Sequence, residues 1–126
     1  MSKIIPLPFG TVHIHSQYMI VVMNEGITVT PKSNTILQDI INKYYKNRNL
    51  VYIAHRLNSY AVDPRIYFET SKIQNLLGIA IVTGNEIRLD STEIERLFYN
   101  KPFKTFESLD HAILWAKKFC AENKSN

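Results

Sequence analysis

Two short, wholly apolar runs, Leu50-Val51-Tyr52-Ile53-Ala54 and Ile79-Ala80-Ile81-Val82, constrain this chain more than any other feature. Each is too short for a core helix and shows no alternation with polar residues. A strand covered on both faces reads this way, and such strands are the parallel strands of α/β sheets. The segments around them must then supply the covering helices and the crossovers that parallel pairing requires.

Those segments carry the expected signals. Val12-His13-Ile14-His15 alternates, and Tyr18-Met19-Ile20-Val21-Val22-Met23 follows after Ser16-Gln17, which predicts an antiparallel hairpin. Asn24-Glu25-Gly26 reads as a turn or bulge, with Ile27-Thr28-Val29 extending the same strand. Thr30-Pro31 opens a helix whose apolar stripe is Ile36, Leu37, Ile40, Ile41, Tyr44 and Tyr45, ending near Lys46-Asn47. Asp63-Pro64 opens a second, with Ile66, Thr70, Ile73 and Leu77 on one face and Gly78 at its end. Asp90-Ser91-Thr92-Glu93 caps a third, whose buried face is Ile94, Leu97 and Phe98. Lys101-Pro102 breaks it, Phe103-Lys104-Thr105-Phe106 forms a short edge strand, and Ser108 caps a last helix. Leu109, Ala112, Ile113, Ala116 and Phe119 are the stripe of that helix, with Trp115 at its margin. The expected fold is α/β: a mixed sheet in which an N-terminal antiparallel hairpin joins parallel strands linked by right-handed crossover helices. One domain spans residues 1–126, with a core at about 10–120.

Composition narrows the function classes. A hydrophobic fraction of 45% with 6 Phe, 7 Tyr and 1 Trp excludes a disordered tail. The single Cys120 permits no intrachain disulfide and no C-x-x-C motif, and reads as a structural thiol. Pro6 and Pro8 interrupt the N-terminal apolar residues, so neither a signal peptide nor a membrane span is expected, and the cytoplasm is the expected location. The net charge of +4 comes from scattered residues: Lys43, Lys46 and Arg48, then Lys101 and Lys104, then Lys117 and Lys118. Several sit where they complement a helix dipole, and no nucleic-acid partner is expected.

Ligands of open α/β sheets bind outside the carboxyl ends of the strands. Here those ends open into the loops His55–Tyr60 and Thr83–Glu86, which makes Arg56, Asn58, Ser59, Tyr60, Asp63 and Thr83 the candidate site residues. The first loop runs into a helix amino end, which favours anions, but Asp63 at the cap would repel a phosphate. His13 and His15 share a strand face, yet no third metal ligand lies beside them, and surface histidines are expected. Ser59 and His55 lack the G-x-S-x-G setting of an activated nucleophile. Only 4 Gly are spread along the chain, so neither glycine-rich phosphate loop can be built. No catalytic residue, metal or cofactor is expected.

The run Val51-Tyr52-Ile53 followed by Arg56-Leu57-Asn58-Ser59-Tyr60-Ala61-Val62-Asp63-Pro64 resembles SpoIIAA-like domains of the STAS superfamily. So do Glu25-Gly26 after the hairpin, Asn100-Lys101-Pro102-Phe103-Lys104-Thr105-Phe106, and Leu109-Asp110-His111-Ala112-Ile113-Leu114-Trp115. The similarity covers nearly all of residues 10–120. It implies a mixed sheet with helices mainly on one side and a non-enzymatic regulatory role like that of anti-sigma factor antagonists. These bind a kinase-like partner and are switched by phosphorylation of a serine at the start of the helix after the central strand. Ser59 is the residue here that could correspond, although it precedes the helix cap by several residues and no Asp stands before it. SEC14-like lipid binding is a further analogy within the superfamily.

Two expectations follow. In the first, the loop binds a protein partner, with Arg56, Tyr60 and Tyr67 as anchors. In the second, an apolar pocket of about 300 Å³ or more opens beside Asn58, Ser59 and Thr83 for a small molecule or lipid. The hairpin edge also allows a homodimer.

Overall fold

The computed structural model describes residues 3–83 and 94–123. Strands β1 (Lys3–Leu7), β2 (Gly10–Ile14), β3 (Tyr18–Met23), β5 (Leu50–His55), β7 (Leu76–Val82) and β8 (Phe103–Phe106) form one sheet in the order β1-β2-β3-β5-β7-β8. Its first three strands are antiparallel and the rest parallel. The short strands β4 (Thr28–Val29) and β6 (Ala61–Val62) form a separate parallel pair. Helices are α1 (Pro31–Tyr44), α2 (Ile66–Thr70) and α3 (Leu109–Glu122), with one more helical turn at 94–97. This is the mixed α/β architecture that the sequence predicts.

The two apolar runs sit where their composition requires. Val51 and Ile53 of β5 and Ala80 and Val82 of β7 face α3, packing on Ala112, Ala116 and Cys120. Leu50, Ala54, Ile79 and Ile81 face the other way, toward Leu37, Ile40 and Ile41 of α1 and Ile66 and Tyr67 of α2. Burying one such Ile or Leu side chain stabilises the fold by about 1.5–3 kcal/mol. Among the described residues, α1 and α2 therefore lie on one face and α3 covers the other.

Several local expectations are corrected. Residues 3–7 form β1, paired with β2 in the register Ile5↔Val12; Pro6 is tolerated because the strand is an edge. Gly10 opens β2 because a Cβ there would stand 2.3 Å from the Val22 carbonyl oxygen. Ile27-Thr28-Val29 does not prolong β3. Gly26, at φ +79, turns the chain away, and Thr28 pairs with Ala61 instead. The helix expected after Asp63-Pro64 spans only Ile66–Thr70, and Gly78 lies within β7. The cause is polar: Lys101 Nζ donates to the carbonyls of Ile73 (2.5 Å) and Leu76 (2.9 Å), and Asn75 Nδ2 donates to those of Tyr45 and Arg48. These tertiary bonds hold 73–76 in a turn that the Leu76 N–H closes on the Ile73 carbonyl at 3.2 Å. A Cβ on Gly78 would lie 3.0 Å from the Pro102 carbonyl oxygen and 3.1 Å from the Phe119 ring, so a side chain there would crowd the chain before β8 and the rings of α3. Asp90–Glu93, the expected cap of the third helix, lies outside the described residues. On the turn that follows, Phe98 packs half-buried against the core as expected, but Ile94 and Leu97 are exposed and Glu95 is buried in their place.

Candidate functional site

The loop leaving β5 is fastened at every step. The Arg56 N–H donates to the Val82 carbonyl at 2.9 Å, holding the loop beside the end of β7. Asn58 Nδ2 donates to the Met23 carbonyl at 2.9 Å. The Ser59 N–H donates to Glu25 Oε1 at 2.9 Å, and the Ser59 carbonyl accepts the Gly26 N–H at 2.7 Å. The Glu25-Gly26 turn thus clamps the Ser59 backbone from both sides, while the residue itself is exposed.

Arg56 turns inward. Its Nη1 lies 3.1 Å from Glu95 Oε2 and its Nη2 2.5 Å from Glu95 Oε1. The Tyr67 hydroxyl donates to the same Oε1 at 2.5 Å, and the Tyr60 ring lies 5.4 Å from the guanidinium carbon. Burial by itself would lower the Arg56 pKa, but the bonds to Glu95 and the Tyr60 neighbour outweigh it and raise the value. Tyr67 is raised well above its ordinary range, by burial first and then by the Glu95 charge. Tyr60 is raised mainly by burial.

Asp63 lies apart from this cluster. It does not cap α2, whose first flanking residue is Arg65. Its Oδ1 accepts the Arg65 N–H at 3.0 Å, and the Arg65 side chain grips both oxygens, which lowers the Asp63 pKa. Thr83 is buried at the end of β7, its N–H bonded to the Phe106 carbonyl at 3.0 Å. Gly84, Asn85 and Glu86 of the second expected loop lie outside the described residues.

The structure thus brings Arg56, Tyr60 and Tyr67 together, leaves Asn58 and Ser59 on the surface beside them, buries Thr83 next to Val82, whose carbonyl holds the Arg56 N–H, and pairs Asp63 with Arg65 instead. Glu95, the centre of the cluster, was absent from the sequence expectations. Its one signal is a carboxylate between Ile94 and Leu97, side chains expected to face the core.

Beneath the cluster is a hollow whose walls are mostly apolar. Its free space is about 20 Å³, room for one or two water molecules and far below the roughly 300 Å³ of a ligand pocket. Four large apolar side chains are exposed on the segments that supply the cluster: Leu57 (65 %) next to Arg56, Phe68 next to Tyr67, and Ile94 and Leu97 (82 %) on the turn of Glu95. The Arg56–Glu95 pair draws the loop to the 94–97 turn, and the Phe68 and Phe98 rings meet edge-on at 5.4 Å.

Among the described residues no three His, Cys, Asp or Glu side chains are placed to share a metal. The His15 ring stacks on Tyr18 at 4.5 Å. Cys120 is buried, its Sγ 3.3 Å from the Gln17 carbonyl oxygen, and burial raises its pKa. No helix among the described residues is long and apolar enough to cross a membrane.

No protein-family model matches the chain, and no curated protein matches its sequence. A solved structure does match: an uncharacterised protein of the DUF3478 family from Shewanella loihica PV-4, described as having a SpoIIAA-like fold. The two chains are 15% identical, with 92% of each covered and a TM-score of 0.52. With its hairpin, parallel strands and covering helices in the same arrangement, this chain has a SpoIIAA-like fold.

Proposed function

We propose that this chain is a non-enzymatic regulatory domain that docks a protein partner on the loop after β5 and the apolar side chains around it. The observation that carries the proposal is the exposure of Leu57, Phe68, Ile94 and Leu97 on three segments tied together by the Arg56–Glu95 and Phe68–Phe98 contacts. Exposed apolar groups gathered on one rigid surface mark interaction sites. Arg56 and Tyr67 serve this surface from beneath, by positioning the loop, rather than as anchors that enter a partner. In this reading Ser59 is the switch. A phosphate there would bring charge against Glu25, whose carboxylate holds the Ser59 N–H, and the like charges would release the clamp.

Affinity capture from lysate of the native host tests the proposal. The wild-type chain should retain one partner, and Leu57→Glu or Leu97→Glu should reduce the amount retained about tenfold or more. Leu114→Glu, on an exposed position of α3 across the sheet, should retain it fully. Equal retention by all four proteins would remove this surface from the function.

A further inference from the structure

The turn at 94–97 is inside out. Glu95 is 2 % exposed, whereas Ile94 and Leu97 face water. A turn packed against an apolar wall ordinarily buries its apolar side chains and hydrates its charge. Here charge holds the inversion: both oxygens of Glu95 bind the Arg56 guanidinium, and Oε1 also accepts the Tyr67 hydroxyl. Arg56 borders the hollow, whose apolar side is Met23, Val29, Ala54, Val62, Ile66 and Ile79 and whose polar side includes Asn34, Tyr52, Tyr60 and Thr70. Arg56 Nε, a further donor of the same group, is buried and has no hydrogen-bond partner among the described residues.

We propose that Arg56 is an anion site for the carboxylate of an apolar acid, and that Glu95 is an internal carboxylate occupying the site until such a ligand displaces it. Exchanging one carboxylate for another keeps Arg56 paired, so the large penalty of an unpaired buried charge is not incurred. Tyr67 donates to either occupant. Glu95 regains water when displaced, and the apolar body of the ligand takes the space the turn vacates, since the hollow itself holds only about 20 Å³. The two planar oxygens of a carboxylate match the guanidinium fork, which an alcohol of the same length does not. The site shares the Arg56–Glu95 pair with the proposed protein-docking surface, so a ligand that displaces Glu95 also loosens the tie between the loop and the 94–97 turn.

Calorimetric titration of the full chain with decanoate, and with decanol as the uncharged analogue, tests the proposal. Decanoate should bind at least tenfold more tightly than decanol. Glu95→Gln removes the competing charge while keeping the shape, and should tighten decanoate binding at least tenfold while leaving decanol unchanged. Converting the pair to apolar side chains, Arg56→Met with Glu95→Met, should erase the preference for decanoate. Circular dichroism establishes that each variant is folded. Should Glu95→Gln fail to fold, the double variant decides: a preference for decanoate that survives in it overturns the anion site. The site is equally overturned by equal affinity for the two amphiphiles, by an unchanged decanoate affinity in folded Glu95→Gln, or by binding of neither.

Discussion

Tyr45 joins three parts of the molecule through one side chain. It follows the last residue of α1, and its ring is fully buried. Its hydroxyl oxygen lies 2.7 Å from the carbonyls of both His15 and Tyr18 and accepts the His15 N–H at 3.2 Å. Burial pushes its pKa up to about 12, so it remains a donor at any physiological pH. Arg48 covers the ring from outside at 5.1 Å. Tyr45→Phe keeps the packing and leaves those carbonyls without this donor, so it should cost about 1–3 kcal/mol in denaturant unfolding. A loss below about half a kcal/mol would mean that the β2–β3 turn does not depend on this bond. Residues 16–17 were legible as a turn from polarity alone. Nothing in the sequence showed that a tyrosine 27 residues beyond Tyr18 would hold that turn.

At the scale of elements, the best-read features were those whose determinants are local. Thr30 and Pro31 start α1 as expected, and the structure adds the reciprocal bond: Ser33 N–H to Thr30 Oγ1 at 3.2 Å, and Thr30 N–H to Ser33 Oγ at 2.7 Å. Thr30→Ala should destabilise the domain by about 1 kcal/mol, seen as a lower denaturation midpoint with an unchanged slope. No midpoint shift would show that α1 is held by packing alone. Ser108 starts α3 in the same way, through the His111 N–H. The misread elements are those settled by distant partners. The spacing of Ile66, Thr70, Ile73 and Leu77 suits a helix, but Lys101 takes up the Ile73 and Leu76 carbonyls, Asn75 is tied to the Tyr45 and Arg48 carbonyls, and Leu76–Val82 pairs with β5. Periodicity places Ile94 and Leu97 inward; Arg56 and Tyr67, 39 and 28 residues from Glu95, bring Glu95 inside instead.

Across the whole molecule, the histidines link stability to pH. The His15 pKa is held below its ordinary 6.5, by burial first and then by the charges of His13 and Lys117; burial alone lowers His55. The folded chain therefore binds these protons less readily than the unfolded chain. The stability they contribute is complete above pH 6.5 and is lost as the pH falls through the lower folded values. Thermal melts should show a level Tm from about pH 8 to 7 and a decline below about 6.5. His15→Gln with His55→Gln should flatten the decline between about pH 6.5 and 5. An identical decline in the double variant would assign it to other groups.

The sequence by itself determined the class of fold, because burial on both faces imposes continuous apolarity on β5 and β7, and caps and turns depend on neighbours within about four residues. It also marked the loop after β5 as the region where polar groups gather. Only the tertiary structure decided that Arg56 faces inward, that Glu95 meets it, and that Gly78 belongs to a strand beneath α3. The reason is physical: a buried charge is tolerable only where its partner lies, and a glycine is required only where another backbone comes close. Both conditions are set by residues far away in the chain.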